Sequence, residues 1–275
     1  MLNGYTESTN MRKRRTALVS GVSRMKGLGK AICVQLARQG FDVFFTFWRP
    51  YDRSMPWGVE DHEPDSIKKE IKELGVDCEY LEADLMDTAS IDDIFSMAAK
   101  RPGVPSVLVN NATYSTMTCL DNISAGELDR HYQVNLRAVV LMCQKFVAGF
   151  KGESPGRIIN ISSGQSLSAM SQEIAYAITK GAIETFTRSM QHELARKNIT
   201  INAINPGLTD TGWTESGWMS REQLDIFRKR FPGGRLGLPT DAAKLAGFLA
   251  SEDAGWITGQ IIHAEGGFMR ENYDV

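Results

Sequence analysis

The chain has 275 residues, with 31 Lys and Arg against 33 Asp and Glu, so its net charge is −2. A pI near 6.1 argues against a nucleic-acid binder that works through a basic face. A composition of 42% hydrophobic and 23% charged residues is that of a globular chain rather than a disordered one.

Residues 1–15 read as a flexible polar tail that closes on the basic cluster Arg12–Arg15, and residues 16–275 as a single domain. The tail holds no apolar stretch of the secretory kind, and the longest apolar run, Ala138 to Cys143, is too short to span a bilayer. The expectation is a cytoplasmic protein that meets no membrane. Its four cysteines (Cys33, Cys78, Cys119 and Cys143) form no C-x-x-C pair and read as core thiols, with no metal site.

From residue 16 onward, short runs rich in Val, Ile, Phe and Thr alternate with helical patterns. The strands fall at 16–20, 43–47, 79–82, 106–109, 157–161, 199–203 and 260–263. Several lack polar alternation, as strands covered on both faces do. Helices are expected near 29–39, 65–75, 88–100, 124–150, 173–196, 220–231 and 240–250. This order predicts an α/β fold, a Rossmann-like, doubly wound parallel sheet of seven strands with helices on both faces. Two long loops interrupt it, at 49–65 and from Pro206 to Pro239.

The first strand runs into Gly21, Ser23, Arg24, Gly27, Leu28 and Gly29, and a helical pattern follows. Glycines at a strand-to-helix turn let the backbone approach a pyrophosphate, and the helix N-terminus offers free N–H groups. A bare tight turn is the plainer alternative. At the end of the second strand, Trp48 and Arg49 stand where an NAD-binding fold keeps an acid for the ribose hydroxyls. The missing carboxylate, with Arg24 and Arg49 to pair a 2′-phosphate, favours NADP(H) over NAD(H).

Tyr176 and Lys180 are four positions apart in a helical segment, on one face. A cation beside the phenol should draw its pKa down from about 10 and suit it to proton transfer. Alone, the pair fits a Tyr packed over a lysine stem equally well. Ser163 closes the fifth strand at the sheet edge where parallel sheets bind ligands, thirteen positions before Tyr176.

These residues belong to a larger ordered set: the glycine loop, Ala83-Asp84-Leu85, Asn110-Asn111-Ala112, Asn135, Ser163, Tyr176 with Lys180, and Asn205-Pro206-Gly207 followed by Thr211. Over residues 15–268 the chain resembles the short-chain dehydrogenase/reductase family, in the branch that holds 3-oxoacyl-[acyl-carrier-protein] reductases. The resemblance implies Tyr176 as general acid/base and Lys180 as the group that lowers its pKa and holds the nicotinamide ribose. It makes Ser163 the anchor of the substrate carbonyl and Asn135 a support for a water-linked proton relay. It places Asp84 and Leu85 at the adenine, Asn111, Ala112 and Thr113 beside the cofactor, and Pro206, Gly207, Thr209 and Thr211 around the carboxamide and diphosphate.

The chain departs from the family pattern at three places. Met25 and Lys26 lengthen the glycine loop, Thr113 replaces a glycine and should narrow the nicotinamide pocket, and the 49–65 loop is long enough to cover the adenosine end. Substrate contacts are expected from Ser163, Gln165, Tyr176, Trp213 and Trp218, the last two in an apolar lid near 209–234. A satellite core under that loop is the alternative.

The reading is an NADP(H)-dependent reductase of a small-molecule carbonyl, a 3-oxoacyl thioester or another ketone. A catalytically silent nucleotide sensor or interaction module is the rival. Enoyl reduction fits less well, because that branch separates its Tyr and Lys by six residues where this chain has three. Val139, Val140, Met142 and Cys143 on one helix, with Ile183, Phe186 and Met190 on another, suggest apolar faces for a homodimer or homotetramer.

Overall fold

Seven runs dense in branched and aromatic residues become the seven strands of one parallel sheet: β1 (Thr16–Val19), β2 (Asp42–Phe47), β3 (Cys78–Glu82), β4 (Pro105–Asn110), β5 (Gly156–Ile161), β6 (Ile199–Asn205) and β7 (Ile261–His263). Their order in the sheet is β3-β2-β1-β4-β5-β6-β7. The computed structural model describes residues 14–152, 154–212 and 220–270.

The apolar runs do not alternate with polar residues because both faces of the sheet are covered. Ala17, Val19, Val43, Phe45, Val107 and Val109 face one core, with Ile32 and Leu36 of α1 (Leu28–Arg38), Ile67 and Ile71 of α3 (Glu63–Glu73), and Ala246 and Leu249 of α9 (Pro239–Ala250). Leu18, Phe44, Leu108 and Ile158 point the other way, toward Ile94 of α4 (Ala89–Lys100), Met142 and Phe146 of α6 (Ala138–Gly149), and Ile183 of α7 (Ile174–Ala195). The period of two along each strand thus sorts its side chains into two cores.

Topology positions the site. The chain winds outward from β1 to β3, then returns to lay β4 on the other side of β1. The loops after β1 and β4 diverge at that reversal and leave a crevice at the carboxyl edge, where doubly wound sheets take their ligands.

The structure corrects three expectations. The helix expected over 124–150 is three pieces: α5 (Ala125–Tyr132), a π-helical turn at Gln133–Arg137, and α6. The loop at 49–65 contains a short helix, α2 (Arg49–Arg53), and α3 already starts at Glu63, with Pro64 in its first turn.

Arg15 does not end a solvated tail. Its guanidinium donates to Pro155 O at 2.8 Å and to Ser106 Oγ at 3.2 Å, and burial lowers its pKa to about 10. Val139, Met142, Cys143 and Ile183 face the sheet, and Phe186 and Met190 pack partly against the same core.

Cys33, Cys78 and Cys143 are buried and all four thiols are free. Burial pushes the Cys78 and Cys143 thiols up to about 12. Among the described residues no helix is long and apolar enough to cross a membrane, and no cluster of metal-ligating side chains occurs.

Candidate active site

A cleft of about 1290 Å³ opens above the carboxyl ends of the strands. It runs from the glycine loop, past the ends of β2 and β3, to the loops after β4, β5 and β6.

The glycine loop fills one end. Gly21 has φ +75°, and a Cβ added there would stand 2.5 Å from the Ala112 Cα. At Gly29 an added Cβ would meet Gly21 O at 2.5 Å. Both glycines are therefore required by close backbone approach, beyond the needs of a turn.

Asn111 holds that approach: its Nδ2 donates to Ser20 O at 3.0 Å and to Gly21 O at 2.8 Å. Ser20 Oγ in turn accepts the N–H groups of Asn111 and Ala112, each at 3.1 Å. The Asn111 side chain is thus committed to the protein backbone. Helix α1 then begins with neither a side-chain cap nor an acid in its first turn. Its first N–H groups and the positive end of its dipole face the cleft, a setting that suits a phosphate.

The two arginines expected at a 2′-phosphate part company. Arg49 does not face the cleft. Its guanidinium grips Glu82 of β3, with Nε 3.0 Å from Oε1, and a further contact reaches Asp61 at 3.5 Å. The sequence placed Arg49 correctly after β2 but carried no sign of the acid on the neighbouring strand. Arg24 lines the cleft. It donates to Thr211 O at 3.0 Å, lies 3.4 Å from Asp52 Oδ1, and stacks over the Trp57 ring at 4.6 Å. The inserted Met25 is carried outward, its N–H donating to Glu63 Oε1 at 2.7 Å. Trp48, Asp84, Leu85, Ala112, Pro206, Gly207, Thr209 and Thr211 all line the cleft, as does Leu28 of α1.

The chemical centre lies at the junction of β4, β5 and α7. Tyr176 is half-buried on the cleft floor, with the Ser163 and Thr113 hydroxyls toward its phenol. Ser162, the other half of the serine pair, turns away and donates to Glu184 Oε1 at 2.7 Å. Lys180 is buried under Tyr176, its Nζ 5.4 Å from the ring centroid and donating to Ile161 O at 2.8 Å.

The electrostatics reverse one expectation. Burial lowers Lys180 to about 8. Tyr176 is pushed up: burial is the main cause, the Glu173 charge adds to it, and hydrogen bonding with Ser163 and Thr113 offsets part. A desolvated phenol next to a carboxylate holds its proton more firmly than one near a lysine alone.

Asn135 sits in the π-helical turn, fully buried and with its amide wholly engaged. Oδ1 accepts from Tyr114 N at 2.7 Å and Thr113 Oγ1 at 3.1 Å. Nδ2 donates to Tyr114 O at 2.8 Å and Thr179 Oγ1 at 3.1 Å. The side chain fixes the β4 loop against α7. Thr113, expected to crowd the pocket, spends its hydroxyl on Asn135 beside the phenol.

Gln165 lines the cleft and donates to Glu173. Trp213 and Trp218 lie outside the described residues. Helix α8 (Arg221–Lys229) follows a capping box at Ser220 and Gln223. Leu224, Phe231 and Leu236 form a satellite core there, with Leu208, Phe227 and Phe268 packed against it and also lining the cleft.

Sequence reasoning missed Tyr51, Asp52, Trp57, Ser115 and Glu173. Tyr51 Oη donates to Ser115 O at 3.1 Å and accepts Ser115 N–H at 3.2 Å, joining the segment after β2 to the loop after β4. The signal for α2 was present: proline in the first turn and an acid behind it at Asp52.

A family model described as Enoyl-(Acyl carrier protein) reductase matches residues 21–269. The chain belongs to the short-chain dehydrogenase/reductase family, a class of oxidoreductases. It is 44% identical over 260 residues to the uncharacterized oxidoreductase YjdA of Bacillus subtilis (strain 168), covering 94% of this chain and 98% of that one. It is 31% identical over 257 residues to the 3-oxoacyl-[acyl-carrier-protein] reductase FabG of Staphylococcus aureus (strain Mu50), covering 94% and 99%. Among solved structures it is similar to the landomycin C-6 ketoreductase LanV with bound NADP and rabelomycin. The TM-score is 0.77 at 30% identity, over 92% of this chain and 95% of that one.

Proposed function

We propose that this chain is an NADP(H)-dependent carbonyl reductase, running the reverse alcohol oxidation where substrate levels favour it. The observation that carries this reading is the meeting of Ser163, Tyr176 and Lys180 on the cleft floor, with Lys180 Nζ 5.4 Å from the Tyr176 ring.

The dinucleotide supplies the hydride when bound. Gly21, Gly29 and the open N-terminus of α1 would hold its pyrophosphate. The Ser163 hydroxyl donates to the substrate carbonyl oxygen, and Tyr176 gives that oxygen its proton. A phenol pushed above its usual range stays protonated at neutral pH, which suits the reductive direction. Met117, Leu167, Met170, Phe227 and Phe268 also line the cleft and suit an apolar ketone. The likeness to the 3-oxoacyl-[acyl-carrier-protein] reductase and the landomycin ketoreductase supports that substrate class. Against enoyl reduction stands the spacing of Tyr176 and Lys180, one helical turn apart.

Preference for NADP(H) rests on Arg24, on Trp48 at the end of β2, and on the lack of a carboxylate from Val43 to Tyr51. Asp52 also lines the cleft, but its charge is met by Arg24 and its Oδ1 accepts from Trp57 Nε1 at 2.9 Å. Fluorescence titration should show NADPH bound more tightly than NADH. Arg24→Ala is expected to weaken NADPH by roughly tenfold or more, the worth of a charge-assisted hydrogen bond, with little effect on NADH. Arg49→Ala should leave the ratio unchanged. NADH binding as tight as NADPH in the wild type would sink the preference.

A further inference from the structure

The carboxylate of Glu173 sits three residues before Tyr176, at the N-cap of α7, and lines the cleft. Its two oxygens are held by different loops. Ser115 Oγ, after β4, donates to Oε1 at 2.8 Å, and Gln165 Nε2, after β5, donates to Oε2. The backbone repeats the tie: Thr118 N–H donates to Gln172 O at 2.9 Å and Ile174 N–H to Thr118 O at 3.0 Å.

The β5 loop leads directly to Ser163, and the β4 loop is pinned from α2. Gln165 N–H donates to Ser163 Oγ at 3.3 Å, and Ser115 is clasped by Tyr51 through both of its backbone polar groups. Asp52 and Glu265, also in the cleft, are paired with Arg24 and Arg270. No ion pair among the described residues engages Glu173. Neutral donors leave the formal charge of the carboxylate uncancelled, so it still acts on its neighbours.

We propose that Glu173 is a positioning residue of the reducing centre: it clamps the loops after β4 and β5 on either side of Tyr176 and holds a negative charge beside the phenol. The inference rests on the carbonyl-reductase reading. The groups facing the phenol are Glu173 and Lys180 from α7, Ser163 from the β5 loop, Thr113 from the β4 loop and Tyr51 from α2. Of the charged ones, Glu173 favours the protonated phenol and Lys180 the phenolate. Reduction needs the protonated form, so its basic limb falls where the phenol ionises. Removing the carboxylate makes the phenol easier to ionise and moves the limb to lower pH.

The test compares the full-length wild type with Glu173→Gln and Glu173→Ala, using NADPH and a ketone that the wild type reduces. Gln keeps the size of the side chain and one acceptor but turns an N–H group toward a donor. Glu173→Gln should lower kcat at least ~10-fold through loss of alignment, leave NADPH affinity near wild type, and shift the basic limb of kcat/KM to lower pH. An unchanged kcat with an unmoved limb overturns the proposal. So does a lower kcat with an unmoved limb, which would mark packing alone.

A second measurement needs no substrate. Amide hydrogen exchange should quicken at both 115–118 and 164–167 in Glu173→Ala, with the sheet still protected. Unaltered exchange at these two loops overturns the clamp even if the wild type reduces no carbonyl, whereas absent reduction alone counts against the reductase reading.

Discussion

Tyr176→Phe is expected to lower carbonyl reduction at least ~10²-fold, the lower range for loss of a general acid. The substitution removes one oxygen and keeps the ring over Lys180, where Nζ lies 5.4 Å from its centroid. Without that oxygen, the Ser163 and Thr113 hydroxyls no longer have the phenol to bond to. Thr113 keeps its bond to Asn135 at 3.1 Å, so the β4 loop retains its anchor. NADPH affinity and the melting temperature should stay near wild type, which makes the result a statement about proton transfer. Steady-state decay of NADPH absorbance with a verified ketone measures it. Near-full turnover in this variant would remove Tyr176 from the chemistry.

Gly21→Ala should have the second largest effect, and on binding rather than on the proton. The residue has φ +75°, which costs a side chain about 1–2 kcal/mol. The new Cβ would also stand 2.5 Å from Ala112 Cα and 2.7 Å from Ala112 N. These are backbone atoms, so relief requires the glycine loop and the end of β4 to move apart. That movement pulls against both Asn111 Nδ2 bonds into the loop. Dinucleotide affinity is expected to fall at least ~10-fold, about 1.4 kcal/mol. The melting temperature should drop by roughly 4–8 °C for about 2 kcal/mol. Titration and thermal unfolding of the same sample separate the two effects. Wild-type affinity in Gly21→Ala would show that a ligand does not depend on this close approach.

The sheet was legible because its signals are local. Each of the seven strands is a short branched or aromatic run, and the absence of polar alternation announced two covered faces. The N-terminal ends of α1, α3, α4, α5, α7, α8 and α9 were close to readable for the same reason, from prolines, caps and periodicity. The break of the helix over 124–150 was not. Asn135 distorts it because its amide reaches Tyr114 and Thr179, partners that stand 21 and 44 residues away.

Long-range pairing limited the site reading in the same way. Ser163, Tyr176 and Lys180 stood out through their spacing, and the structure brings them to one cleft floor. Arg49 was misread because its partner Glu82 is set by strand pairing between β2 and β3, in which Phe47 aligns with Glu82. The direction of the Tyr176 shift was misread because burial outweighs a lysine whose own ammonium is committed to Ile161 O. Tyr51 was passed over because its value lies in a contact with Ser115, across 64 residues.

Transfer of a labelled hydride tests the central claim most directly. NADPH carrying deuterium at the transferable C4 position would be incubated with the protein and a panel of apolar ketones, and the products read by mass spectrometry. A carbonyl reductase of the proposed kind yields an alcohol carrying one deuterium at the former carbonyl carbon, formed by the wild type and nearly absent with Tyr176→Phe. Tight NADPH binding with no deuterium in any product across the panel would contradict it and leave a protein that holds the dinucleotide without using it.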